Sequence, residues 1–394
     1  MLVGGSFVVD NLNGTGEVDD FHPMKGPMTT QALRGLVNAG AMEWRGDRAT
    51  GFFGDDLSED APFDSELNFN NFIVTFTGLL GREEILSESD MQKFTDFALQ
   101  VTLPPNPVRA LDNSLNRAEA RGKEYFMGCD DKGLVICNSE GFPVVGEHRS
   151  DGVPLIPGLG FTCEGCHTLD PARGFFGTDG SPAFDELNQT MKVTQIRNTY
   201  TKVGMFGNPP AADVNTFDNE FKGEQIRGFG MFHDGGIDTI ERFMNGEVFN
   251  EDFFGTVGFF GGDPQRQDIE AFMLAFDNDL APITGQQVTL EGEGSADVNN
   301  RIDLLIERAE ADYPSQILGA GAKECELVVK GVIEGAPRGW LFDADAGNFR
   351  SDRTDESPFS DSELRAIAAV PGQALTYTCV PFGSGERIAL DREL

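Results

Sequence analysis

Apolar residues recur at near-helical spacing from Phe69 to Leu80, at Phe69, Phe72, Ile73, Phe76, Leu79 and Leu80. That pattern predicts a helix, which Gly81 ends. A second helix starts at Ser87 or Ser89 and puts Met91, Phe94, Phe97, Ala98 and Val101 on one face. The run Pro104-Pro105-Asn106-Pro107 closes it, because proline cannot continue the backbone hydrogen-bond ladder. Asn116 to Met127 reads as a third helix, carrying Ala118, Ala120 and Tyr125. Thr239 begins another, with Ile240, Phe243 and Met244 inward, and Pro264 to Leu280 is amphipathic through Ile269, Phe272, Met273 and Phe276. Near the start, Thr29 or Thr30 is placed to cap a short helix through Leu33 and Leu36. Glycine- and acid-rich stretches at 1–20, 49–66 and 170–182 read as loop.

The texture changes after Pro282. A helical run from Ile302 to Ala311 gives way to β-like runs at Cys325 to Val332, Gly339 to Phe342 and Ala374 to Val380. The expected fold is therefore mainly α with long loops, plus a small C-terminal α/β appendage. The boundaries are 1–115, 116–285 and 286–394. An internal repeat joins the first two parts. Thr30-Gln31-Ala32-Leu33-Arg34-Gly35, followed by Trp44-Arg45-Gly46-Asp47-Arg48, parallels Thr194-Gln195-Ile196-Arg197-Asn198, followed by Phe232-His233-Asp234-Gly235-Gly236.

Charge narrows the partners. Thirty basic against 65 acidic residues give a formal net charge of −35. This excludes a nucleic acid or an anionic membrane as the main partner. It favours a partner with a basic surface, or bound cations such as calcium. No apolar run approaches the length of a membrane span.

The candidate chemistry lies in Cys163-Glu164-Gly165-Cys166-His167. C-x-x-C-H is the attachment signal of a c-type haem. Two thiols add to the porphyrin vinyl groups as thioethers, and the adjacent imidazole becomes the proximal iron ligand. The competing readings are a CxxC redox pair, or half a zinc site with a chance histidine behind it. A second CxxC is missing, and the glycine-rich flanks do not look like a βαβ redox unit. The remaining cysteines form an even set, with Cys129–Cys137 and Cys325–Cys379 as the expected pairs. Covalent haem and disulfides both point to an oxidising compartment, periplasmic or extracellular. The opening Met-Leu-Val-Gly-Gly carries no export signal. The expectation is that the signal lies upstream of this sequence.

For the distal iron position, methionine sulfur suits electron transfer by raising the potential. Met205, in the glycine-flanked stretch 203–207, is one candidate, with an ordinary loop hydrophobe as the alternative reading. Met244 is a second and Met231 a weaker third. Arg197 can fork onto a haem propionate or serve in a structural salt bridge. Trp44 reads equally as a core residue or as an aromatic beside a cofactor, and His148 as a surface residue.

The two-copy plan, the CxxCH and the His-Asp-Gly signature resemble the di-haem cytochrome c peroxidases and the related methylamine-utilisation di-haem enzymes. The segments from Phe21 to Arg48 and from Gln195 to Gly235 carry the likeness, which covers residues 20–285. The resemblance implies tandem cytochrome-c-like helical domains, the first lacking its own CxxCH in this sequence. It implies an upstream CxxCH and a second haem c. His22 matches the family's distal, dissociable ligand of that first haem. His233 matches a residue that lies near the second haem without being its axial ligand, in polar contact with Asp234 or a propionate; bis-histidine ligation with His167 is the alternative, and calcium fits the family. The glutamine and glutamate that handle peroxide protons in the family are not found after Arg48. Three functional readings follow. The first is an exported c-type cytochrome that exchanges single electrons with a small, basic redox protein. The second is a di-haem peroxidase, and the third is a cell-surface structural module with a non-catalytic haem.

Overall fold

The computed structural model describes residues 29–44, 64–127, 163–180, 182–183, 191–204, 228–231, 235, 237–245 and 262–390. His22, Cys129, Cys137, His148, Met205 and His233 lie outside the described residues. The chain forms two compact units. The first comprises 1–103, 115–170 and 175–276; the second comprises 104–114, 171–174 and 277–394.

In the first unit the stretch 65–78 is helical but not one helix. It divides into α1 (Ser65–Asn70), a 3-10 turn (Asn71–Val74) and α2 (Thr75–Gly78). Asp64 caps α1 by accepting the Leu67 N–H at 2.9 Å. Helix α3 (Glu88–Leu99) is capped by Ser87, which accepts from Asp90 N at 3.2 Å. Helix α4 (Arg117–Met127) has a reciprocal cap: Asn116 Oδ1 accepts from Glu119 N, and Glu119 Oε2 accepts from Asn116 N. Then follow the single turn α5 (Cys163–Cys166), the hairpin β1 (Leu169–Asp170) and β2 (Phe175–Phe176), and the pair β3 (Pro182–Ala183) and β4 (Met191–Lys192). Helix α6 (Ile240–Met244) is capped by Thr239, and α7 (Asp263–Leu274) has proline in its first turn.

The expected helix after Thr30 does not form. Gly35, Asn38 and Gly40 adopt positive φ values of 62°, 54° and 75°, a left-handed backbone that a right-handed helix excludes. Residues 29–44 are turns and bends instead.

Helices α4 and α7 form the core of this unit. They approach so closely that a Cβ on Gly122 would sit 1.9 Å from the Asp268 carbonyl oxygen. Arg121 spans the crossing, with Nε and Nη2 each 2.6 Å from an Asp268 carboxylate oxygen. Beneath it Phe126, Phe272 and Phe276 meet with ring centroids 5.3–5.4 Å apart, joined by Leu169, Phe176 and Ile196. Each phenyl ring removed from water contributes about 2–3 kcal/mol.

The second unit overturns the mainly-α expectation. It is built on a five-stranded antiparallel sheet in the order β5-β9-β6-β7-β8. The strands are β5 (Gln287–Leu290), β6 (Glu326–Ile333), β7 (Ala336–Asp343), β8 (Asn348–Ser351) and β9 (Leu375–Val380). Its helices are α8 (Ala296–Glu310), α9 (Asp361–Ala368) and α10 (Gly385–Ala389). Val329 faces Trp340 on one side and Tyr377 on the other, so β-branched and aromatic residues share one buried face. Three of the strands were visible as apolar runs. The four-residue strands β5 and β8 were not, because each is too short to show alternation. With this sheet, the chain is not a plain tandem of helical cytochrome domains with a minor appendage. Cys325 and Cys379 are disulfide-bonded as expected, with Cα atoms 5.3 Å apart.

Candidate functional site

Helix α5 consists of the four residues of the CxxC itself, and His167 continues its turn by donating N–H to Cys163 O at 2.7 Å. Both thiols are unpaired. Cys163 packs against the Phe126–Phe272–Phe276 cluster. Burial pushes its thiol up to about 12, and burial with the Asp179 charge raises Cys166 as well. Redox-active CxxC pairs and zinc thiolates rely on a lowered thiol pKa. This environment works in the opposite direction and suits neutral sulfur. Among the described residues no group of three or more His, Cys, Asp or Glu is arranged to hold a metal.

The hairpin β1–β2 returns the chain to the histidine. Leu169 pairs with Phe176, and Gly177 N donates to Thr168 O at 2.7 Å. Ile196 N then donates to Phe176 O at 3.1 Å, which lays the 193–196 segment beside the hairpin. As a result two main-chain carbonyls converge on one ring nitrogen. His167 Nδ1 lies 2.8 Å from Gly177 O and 3.0 Å from Thr194 O. A carbonyl only accepts, so Nδ1 must carry the proton. Nε2 is left with its lone pair, the form of imidazole that binds a metal. Burial holds the His167 pKa below the ordinary range and keeps the ring neutral. Gly177 is required here: its φ is +90°, and a Cβ would stand 2.7 Å from Ile196 N.

Arg197 is buried. Its Nη2 donates to Gly35 O at 2.7 Å, its Nε donates to Gln195 Oε1, and its guanidinium lies 4.9 Å from the Phe176 ring. Gln195 also reaches Gly35 O, at 3.3 Å. The two segments paired in the sequence repeat therefore meet in space. Trp44 is buried, donates Nε1–H to Thr29 O at 2.8 Å and accepts from Lys192 N at 2.9 Å. Met244 is 3% exposed and packs with Ile240 and Ile269 in a separate apolar cluster, where Met231 is a neighbour.

Three features escaped the sequence reading. Glu164, inside the motif, is 4% exposed, and its Oε2 has no hydrogen-bond partner among the described residues. Burial, reinforced by Asp179 and Asp170, pushes its carboxyl up to about 7. The Gly177 and Thr194 carbonyls leave no trace in sequence, since every residue has one. Lys192 and Lys202 carry the only available signal, two lysines flanking Thr194–Asn198 in a strongly acidic chain.

The donor set fits a c-type haem. It offers two neutral thiols one turn apart, a neutral imidazole with its metal-binding nitrogen free, and an aromatic wall behind Cys163. No family model matches this chain, and no curated protein matches it. The resemblance to the di-haem peroxidases thus stands on the quoted motifs alone. Among solved structures the chain is similar to the hydrazine synthase of Kuenenia stuttgartiensis, at 16% identity over 63% of this chain and 72% of that one. The TM-score of 0.35 is too low for that likeness to carry an argument about either protein's chemistry.

Proposed function

We propose that this chain is an exported c-type cytochrome that carries single electrons. Cys163 and Cys166 attach the haem, and His167 holds the iron from the proximal side. The observation that carries this reading is the double carbonyl hold on His167 Nδ1, 2.8 and 3.0 Å long, which presents Nε2 unprotonated. Orienting contacts of this kind fix the tautomer and raise the basicity of a histidine ligand. When bound, the haem supplies a one-electron couple at its iron. The chain's own residues do the rest: the thiols anchor, the carbonyls aim the imidazole, and the Phe126 cluster excludes water. Met205 is the proposed distal ligand, with Met244 the alternative. The Cys325–Cys379 disulfide and covalent haem attachment both suit an oxidising compartment. With a net charge of −35, the electron partner is expected to be a small protein with a basic face. Among the described residues no helix is long and apolar enough to cross a membrane.

The test is a covalent haem count with an optical spectrum, on protein matured by a c-type haem attachment system. One low-spin haem on this chain, lost in Cys163→Ala/Cys166→Ala, is the expected result. Met205→Ala and Met244→Ala, made separately, identify the distal ligand by which of them turns the spectrum high-spin. A high-spin haem in the unaltered protein with sustained peroxide consumption would replace electron carriage by the peroxidase reading. No covalent haem would refute both.

A further inference from the structure

Two lysines crowd the backbone that aims His167. Lys192 ends β4, two residues before Thr194, and the residue is 8% exposed. Its Nζ donates to Ala41 O at 2.7 Å and lies 5.9 Å from the centroid of the Trp44 ring. Lys202 follows the 3-10 turn Thr199–Thr201. Its backbone is pinned on both sides: Lys202 N donates to Thr199 O at 2.9 Å, and Lys202 O accepts from Gly230 N at 3.0 Å. Gly228 packs so tightly on it that a Cβ there would stand 2.4 Å from the Lys202 carbonyl carbon. The Lys202 charge acts on both Lys192 and His167, so the two lysines share one neighbourhood with the neutral imidazole.

Neither ammonium has an ion-pair partner among the described residues. Lys192 offers one of its donors to a neutral carbonyl, and Glu43 attracts it only over a longer range. Lys202 is half-buried, and among the described residues no acid compensates it. Burial lowers Lys192 to about 7 and Lys202 to about 8. Buried charges are ordinarily paired, because desolvating an ammonium is costly. In this chain acids outnumber bases 65 to 30, so a carboxylate would be the easiest partner to find. These two lysines call for an anion that the described residues do not supply.

We propose that Lys192 and Lys202 form the carboxylate-binding side of this site and hold the propionates of the haem. The assignment rests on the haem reading above and names its second half. Cys163, Cys166 and His167 secure the vinyl edge and the iron, while the two lysines secure the acid edge. Arg197 is already engaged with Gly35 and Gln195.

The test uses the full haem-loaded chain with Lys202→Gln, Lys202→Arg and Lys192→Gln. Resonance Raman reads the propionate bending band, whose frequency follows hydrogen bonding to the carboxylate, and a haem count runs alongside. The expected result is unchanged haem content, a lowered band frequency and a lower midpoint potential in Lys202→Gln, with recovery in Lys202→Arg. Lys192→Gln, if it folds, moves the band the same way; Lys202→Gln alone suffices if it does not. Full haem content with an unmoved band in Lys202→Gln overturns the assignment and leaves the haem reading standing. An unmoved band, together with inorganic phosphate binding that Lys202→Gln abolishes, would reassign the pair to a free oxyanion and likewise overturn it. Absence of covalent haem from every version would overturn the haem reading itself.

Discussion

Glu164→Gln tests the electrostatics of the motif directly. Glu164, between the two cysteines in sequence, is buried; among the described residues Oε2 has no hydrogen-bond partner, and the Leu169 backbone N–H donates to the carboxyl. Burial raises it from an ordinary 4.5 to about 7. A carboxyl raised on folding means that the native state binds the extra proton. Its penalty is therefore absent below the unfolded pKa, grows as pH rises from about 4.5 to about 7, and is constant above that. At about 1.4 kcal/mol per pH unit the full penalty is roughly 3 kcal/mol, and residual water access reduces it to about 1–3 kcal/mol. Glutamine keeps the shape and removes the charge. The variant should match the parent near pH 4.5 and exceed its stability by about 1–3 kcal/mol at pH 8. Trp44 lies in the first unit and Trp340 in the second, and the chain has two tryptophans. A Trp340→Phe background therefore lets Trp44 fluorescence report urea unfolding of the first unit alone. A stability difference independent of pH, or one that favours the parent at pH 8, would refute the account of Glu164.

Two further predictions rest on geometry. Gly177→Ala forces a side chain into φ +90° and against Ile196 N, so it should cost about 2–4 kcal/mol and loosen the carbonyl hold on His167. Urea unfolding reads the first effect, and a further lowered His167 pKa in an NMR titration of the apo chain reads the second, because the two carbonyl bonds favour the protonated ring. Cys325→Ser with Cys379→Ser opens a cross-link spanning 54 residues, for which loop-closure entropy gives about 4 kcal/mol. Thermal unfolding of the second unit, followed by Trp340 fluorescence in a Trp44→Phe background, should show the loss, while haem content stays unchanged.

Local signals decided much of this protein. The spacing from Cys163 to His167 suggests a haem-attachment chemistry without any fold, because thioether attachment and ligation need three groups on one short turn. Helix starts at Ser87, Asn116 and Thr239 were legible, since capping oxygens act within three residues. The helical boundary at Pro104 and the pairing of Cys325 with Cys379 were also anticipated. Other features needed the tertiary structure. The helix expected after Thr30 failed because Gly35, Asn38 and Gly40 turn left-handed, which composition hints at but does not require. The five-stranded sheet exceeded expectation because its outer strands are too short to show alternation. Above all, the carbonyls that fix the His167 tautomer, the burial of Glu164 and the meeting of Lys192 and Lys202 arise from segments distant in the chain. Backbone acceptors have no residue code, and desolvation depends on what else packs nearby. The motif was therefore written in the sequence, whereas its protonation states and the placing of the two lysines near it were set only by folding.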